Sequence, residues 1–304
     1  MKDALAIVLF VLAVGAAALA FESGVALNFI MMALYATLLA QAWNMLGGYG
    51  GQFSFGHALF FGSGAYVQAI AQLQGGINAW VALGLAIGAA AAVGALVGAL
   101  AFRYGLKGSY FALITLAFAE VFRILALSVP FTGAGVGLML PLRAAASNLQ
   151  FDSPRGYALL LLGLVTLALA VTAWLRHSRF GAQLQAVRDN EDAARALGID
   201  PLRTKLFACV LSATFMGAAG AVYLQMFQYI DPAIAFGPTT SVEALLGAIV
   251  GGMGTLWGPV LGALPGINMV IYGVVLVVIV MFMPRGIAGI GRSVRSLWQG
   301  SRRD

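Results

Sequence analysis

Charge is what this sequence has least of. Only 9% of its 304 residues are Asp, Glu, Lys or Arg, against 61% that are hydrophobic, and the mean hydropathy is +0.93. Soluble domains carry about 25% charged and roughly 45–50% apolar residues, so a water-soluble enzyme or binding module is excluded. Cysteine is nearly absent: Cys209 stands alone in an apolar segment, which leaves no disulfide framework and no cysteine metal cluster. The two histidines, His57 and His177, lie far apart in the chain. None of the three lysines, Lys2, Lys107 and Lys205, ends a G-x-x-x-x-G-K-[ST] run, and neither G-x-G-x-x-G nor G-x-S-x-G occurs. With no P-loop the chain cannot hydrolyse ATP by itself, and it offers no catalytic residue, no metal site and no resident cofactor.

What is present is a series of long hydrophobic runs, which makes this a polytopic membrane protein. Of the 17 Lys and Arg residues, Lys2, Arg103, Lys107, the six between Arg176 and Lys205 and the five from Arg285 to Arg303 fall on one side. Arg143 and Arg155 fall opposite, and Arg123 lies within a run. That asymmetry is the positive-inside bias, so the net charge of +6 reports orientation and membrane contact and not a nucleic-acid ligand.

In order, residues 4–20 are either a signal peptide cleaved after Ala18-Leu19-Ala20 or a retained first helix, and the span that follows at once favours the helix. Residues 26–45 return inward, and a Gly-rich stretch from Gly47 to Tyr66 leads outward to about residue 73. Residues 79–102, 109–128, 157–175 and 206–227 are further crossings, close to the roughly 20 residues that span a bilayer. Residues 130–156, with Pro130, Pro141 and Pro154, read as an external loop. A second Gly-rich stretch fills 239–266, and 267–283 brings the chain back to a basic tail. The expectation is an all-α, polytopic transmembrane helical bundle of about eight crossings, a single domain over residues 1–304, multi-pass, with both termini cytoplasmic.

The hydrophilic exception runs from Arg176 to Lys205, with 10 of the 28 charges in 30 residues. Phe180, Leu184, Val187, Ala194 and Leu197 make one stripe at helical period, which predicts an amphipathic helix or a pair of them. Asp189 or Asn190 can cap a start, and Gly198 can end it. The stretch is either a solvated loop between crossings or a docking element for a soluble cytoplasmic partner.

The two Gly-rich stretches lie in opposite halves of the chain, and paired interruptions of this kind point to a transport pathway. Gly247 and Gly251, and Gly254, Gly258, Gly262 and Gly266, recur at four-residue spacing, which equally suits close helix packing. Glu120 and Arg123, three apart on one helix, share a face as an intramembrane ion pair. Glu120 lies roughly 16 Å past Ser109, near the middle of a core about 30 Å thick, so the pair must face protein or water. Glu243 invites the same reading.

Five ordered blocks resemble a known family: GYGGQFSFGHALFFGSGAY (48–66), GSYFALITLAFAEVFR (108–123), Arg188-x-Asn190-Glu191-x-Ala193-Ala194-x-x-x-Gly198-Ile199, GGMGTLWGPVLGA (251–263) and Pro284-Arg285-Gly286. Together they look like the LivM-type permease subunit of branched-chain amino acid ABC importers. The resemblance implies a bacterial inner-membrane importer with four partners. These are a second, LivH-type permease, two LivG/LivF-type ATPase subunits that hold ATP and Mg, and a periplasmic substrate-binding protein. It also implies that Arg188, Asn190, Glu191, Ala193, Ala194 and Gly198 belong to a coupling helix, whose apolar stripe would sit in a cleft of an ATPase. Gln52, Ser54, His57, Tyr110, Thr115 and Thr132 are the candidates for the translocation pathway, being polar and on or beside the broken or charged helices. The chain departs from the family at Thr132-Gly133-Ala134-Gly135-Val136-Gly137, which lacks a polar residue members carry, and it is shorter between Gly262 and Tyr272. Cargo alternatives are urea, short amides and aromatic carboxylates; a different class is an ion-coupled secondary transporter or channel.

Overall fold

The structure is a computed structural model and describes residues 2–264. The crossing expected at 267–283, the Pro284-Arg285-Gly286 block, the basic tail and the shortening between Gly262 and Tyr272 lie outside the described residues.

Hydrocarbon offers backbone N–H and C=O groups no partner, so uncharged runs of this length must satisfy them internally as helices. They form α1 (Lys2–Ala20), α2 (Gly24–Asn44), α3 (His57–Leu73), α4 (Ala79–Arg103), α5 (Gly108–Ser128) and α6 (Pro154–His177). Two short helices follow, α7 (Arg179–Asp189) and α8 (Glu191–Ala196), and then α9 (Pro201–Phe227). The described chain closes with α10 (Pro232–Phe236), α11 (Pro238–Gly251) and α12 (Gly258–Gly262). By length and composition α1, α2, α4, α5, α6 and α9 can each cross a membrane. α3, with 17 residues, is not among them, so six of the seven crossings expected before residue 267 are matched by helices of spanning length, and the stretch 47–73 is instead a turn, an irregular segment and a shorter helix.

Salt bridges and loops define two ends. At the basic end Asp3 of α1 holds Arg176 (3.3 Å) and His177 (2.7 Å) at the foot of α6. At the opposite end Arg155 donates to the carbonyl of Phe21 and Trp80 Nε1 to that of Ala146. The loop expected to be external is more ordered than its prolines suggest: β1 (Leu138–Met139) pairs antiparallel with β2 (Tyr229–Ile230), in register Leu138 to Ile230. That pair fastens the loop to the end of α9.

The centre of the bundle is α9 against α3 and α4. Of its most apolar window 67% is buried, against 28% for α5 and 11% for α1, so α9 is the post and the other two are flanks. Small residues make this approach geometrically permissible. Gly217 faces the Ala90 methyl, Gly220 the carbonyl of Phe61, and Gly94 the methyl of Ala213, leaving no room for a side chain at any of the three.

Candidate functional site

The hydrophilic stretch folds as two helices because its caps are placed to make two. Ser178 Oγ accepts from the N–H of Gly181 (3.0 Å) to start α7. Asn190 then leaves helical geometry (φ −155°, ψ 106°), and its Oδ1 accepts from Asp192 (3.1 Å) and Ala193 (3.0 Å) to start α8. Gly198, at φ +83°, donates to Arg195 while Ile199 donates to Ala194, a Schellman closure that requires the left-handed residue. Asp200 caps α9 through Leu202 (3.0 Å) and Arg203 (3.3 Å).

The apolar stripe faces the other way from the one expected. Leu184, Val187 and Ala194 are buried within this chain, and Leu197 is off the stripe at 81% exposed. A bundle that must cover its own basic end takes up the stripe itself, so it cannot also fill a cleft in an ATPase. What remains outward is a mix of polar and small residues, Asn190, Asp192, Ala193, Arg195 and Gly198, with Leu197 at the tip.

Two of the residues expected to couple turn inward. Arg188 passes over Gly51 and donates from Nη1 to the carbonyl of Gly48 (3.1 Å). Glu191 accepts from Nζ of Lys205 (2.6 Å) and lies 3.0 Å from Nζ of Lys107. Burial pushes the Glu191 carboxyl up, but the hydrogen bonds and charges of Lys205 and Lys107 outweigh it and hold the group below the usual glutamate range.

Gly48 lies where the two Gly-rich stretches meet. α2 runs on into a π-helical turn, Met45–Tyr49, and α11 ends at a turn before α12. Asn44, fully buried, accepts from the N–H of Gly254 (2.7 Å) and donates to the carbonyl of Thr255 (2.9 Å). Beside it Gln41 donates to Thr172 Oγ1 (2.9 Å). Gly254 is at φ +73°, and a methyl on Gly48 would strike both Asn44 Oδ1 and the Gly254 nitrogen. Glycines 251 and 258, and 247 and 262, let α11 and α12 fold against each other, which is the packing role their spacing allowed. Asn44 and Gln41 escaped sequence reasoning; the signal was two carboxamides three residues apart in an otherwise apolar run, which must find partners in a membrane.

From this junction residues 50–56 rise without helix into the bundle, and α3 starts there. Trp43 Nε1 donates to the carbonyl of Ser54 (2.9 Å), Ser54 Oγ accepts from Gly56, and Gly56 abuts the carbonyl of Thr115. His57 is fully buried and bonded to Ser212 Oγ (2.9 Å), and Ser212 in turn donates to Ala42. With the Ser212 proton so placed, Nε2 of His57 is the donor. Ser212 stands about 16 Å along α9 from Pro201, so the start of α3 lies at membrane depth.

The pathway candidates therefore separate. Ser54, His57 and Thr115 converge on this buried start. Gln52 lines a cavity of about 370 Å³ at the basic end with Gly51, Lys107, Arg188, Glu191 and Lys205. Thr132 is elsewhere, its hydroxyl 2.6 Å from the carbonyls of Ala126 and Val129 and donating its one proton between them at the end of α5, and Tyr110 is 75% exposed on the bundle's flank. Neither is brought to the others, because the fold uses Thr132 as a cap and leaves the foot of α5 uncovered. Glu120 and Arg123 form the expected pair, bidentate at 2.8 and 2.6 Å, on a face of α5 that the described residues cover only in part. Among the described residues, no three His, Cys, Asp or Glu side chains group to hold a metal ion.

A multi-pass helical membrane protein whose two interrupted stretches meet above a charged handle is, by class, a permease. The chain belongs to the family described as branched-chain amino acid transport system / permease component, which matches residues 25–289. It is 28% identical to the high-affinity branched-chain amino acid permease protein LivM of Salmonella typhimurium, over 88% of this chain and 71% of that one. The Escherichia coli LivM is 27% identical over 87% and 70%. A nucleoside ABC transporter permease, NupC of Lactococcus lactis, is 28% identical over 41% of this chain and 47% of that one. No solved structure matches.

Proposed function

We propose that this chain is one permease subunit of an ATP-driven importer for branched-chain or other hydrophobic amino acids, in a bacterial inner membrane. It forms half of the translocation pathway with a LivH-type permease; a stretch covering 40% of this chain is 29% identical to the Escherichia coli LivH. ATPase subunits dock on the outward face of α7–α8 from the cytoplasm, and a periplasmic binding protein delivers cargo at the opposite end. The observation that carries the reading is the Arg188–Gly48 bond, which ties a water-exposed helix pair to the meeting point of both broken stretches. An element tied in that way serves mechanical input, which a channel or an ion-coupled carrier does not need.

The resemblance to a nucleoside permease favours a second cargo reading, in which the same architecture carries a polar heterocycle. Co-expression with a LivH-type permease, ATPase subunits and a binding protein from the same organism, followed by uptake of labelled leucine and of a nucleoside into vesicles, tests both. ATP-dependent leucine uptake is expected. Uptake driven by an ion gradient without any ATPase refutes the importer reading, and nucleoside uptake alone replaces the cargo.

A further inference from the structure

A glutamate on a water-exposed helix ordinarily points to solvent, and Glu191 does not. Its side chain is 14% exposed, with Oε2 at 2.6 Å from Lys205 and 3.0 Å from Lys107, and Oε1 at 3.5 Å from Arg195. The two lysines sit at the starts of different membrane helices. Lys205 is in the first turns of α9, itself 4% exposed and 5.7 Å from the ring centroid of Phe102. Lys107 is the residue on which α5 begins. One carboxylate therefore joins α8 to the post of the bundle and to the foot of its flank.

Most surface ion pairs hold little, because water replaces either partner. Lys205 has no such exchange available: a buried ammonium that loses its carboxylate is left uncompensated. α5 is held to the bundle one turn further on, where Phe111 is fully buried and stacks on Phe102 at 5.0 Å. The turn before it has room to give at its glycines: Gly105 at φ +67° and Gly108 at φ +55° have no atom within 4 Å of where a methyl would stand. The Lys107–Glu191 salt bridge ties that turn to α8. Further up, α5 touches the buried start of α3 through Thr115 and Gly56, and it bears the Glu120–Arg123 pair.

We propose that Glu191 is a positioning residue that transmits displacement of α7–α8 to α5 through Lys107, with Lys205 as the fixed pivot. This rests on the importer reading above. It differs from the Arg188 contact, which addresses the broken-helix junction, and it removes Glu191 from the surface that an ATPase touches.

The test uses the complete complex in liposomes, with ATP hydrolysis and amino acid uptake measured on the same vesicles. Lys107→Ala is the informative variant, because Lys107 is 54% exposed and its removal strands no buried charge. ATP hydrolysis should continue while amino acid moved per ATP falls about tenfold, a size seen for residues that couple distant sites. Lys107→Arg should restore it. Wild-type uptake per ATP in Lys107→Ala, or no recovery in Lys107→Arg, overturns the latch alone. Wild-type vesicles that import on an ion gradient and not on ATP overturn the importer reading, and the latch with it.

Discussion

Arg188 lays its aliphatic stem across Gly51 and ends 3.1 Å from the carbonyl oxygen of Gly48. The acceptor sits in a π-helical turn, where the regular i−4 ladder is interrupted and carbonyls become available to other donors. Any side chain at 51 would collide with Arg188 Cγ and would hold φ +64° at a cost glycine does not bear. Gly51→Ala should lower stability by about 1–2 kcal/mol and reduce uptake, whereas Arg188→Ala should reduce uptake with a smaller change in melting. Thermal unfolding in detergent beside vesicle uptake checks both; a Gly51→Ala protein that matches wild type in each contradicts the contact.

Asn44 clasps the turn between α11 and α12 with both ends of its carboxamide. Asn44→Leu leaves the Gly254 N–H and the Thr255 carbonyl without their partner in a part-buried turn, which costs about 1 kcal/mol, the low end for an orphaned buried group. Asn44→Asp keeps the acceptor for Gly254 and should lose less. Hydrogen exchange across residues 252–257 should rise most in the leucine variant; equal protection in all three proteins would show that the turn stands without the clasp.

Acid should release the handle in a defined window. The ordinary glutamate value is 4.5, and the folded Glu191 lies below it because Lys205 and Lys107 favour the carboxylate, with Arg195 facing its other oxygen. A depressed folded value means that the stabilisation is complete above 4.5 and is lost as pH falls through the folded value. Protease cleavage in 190–198 should therefore stay constant from neutral pH down to about 5 and rise below the ordinary range. Glu191→Gln should already be cleaved faster at neutral pH and gain less on acidification. A Gln variant that follows the wild-type curve would assign the acid response to other carboxylates.

Much of this was legible in the residues themselves. Apolar runs place the crossings, and Asn190 and Gly198 announce their caps by type and position, because capping is local chemistry. The stripe Leu184–Val187–Ala194 was legible as a face, but which partner it meets is a tertiary question, and the chain's own basic end met it first. Thr132 illustrates the same limit: a hydroxyl beside a helix end caps that end before it lines anything. Asn44 and Gly254 lie more than two hundred positions apart, and no local pattern pairs them.

Leu197 tests the outward face. It is 81% exposed at the tip of α8, bordered by Gly198, and contributes nothing to the buried stripe. Leu197→Glu should change stability by no more than about 0.5 kcal/mol, as surface substitutions usually do. It should weaken co-purification of the ATPase subunits and lower ATP-dependent uptake. Full recovery of the ATPases with Leu197→Glu would move the docking surface away from α8.

The Glu120–Arg123 pair separates a structural role from a bystander. Both charges lie beyond the middle of α5 on a half-exposed face, and each neutralises the other through two short hydrogen bonds. Arg123→Leu alone leaves a lone carboxylate at membrane depth, and Glu120→Leu alone leaves a lone guanidinium; both should reduce folded yield and melting temperature. Glu120→Leu with Arg123→Leu removes the pair together and should recover most of that loss, since an apolar replacement of a closed ion pair is often neutral or better. If the double variant is stable yet no longer assembles with the second permease, the pair serves that interface. If single and double variants are equally damaged, the two residues act separately, and the bidentate contact is not what keeps them in the membrane.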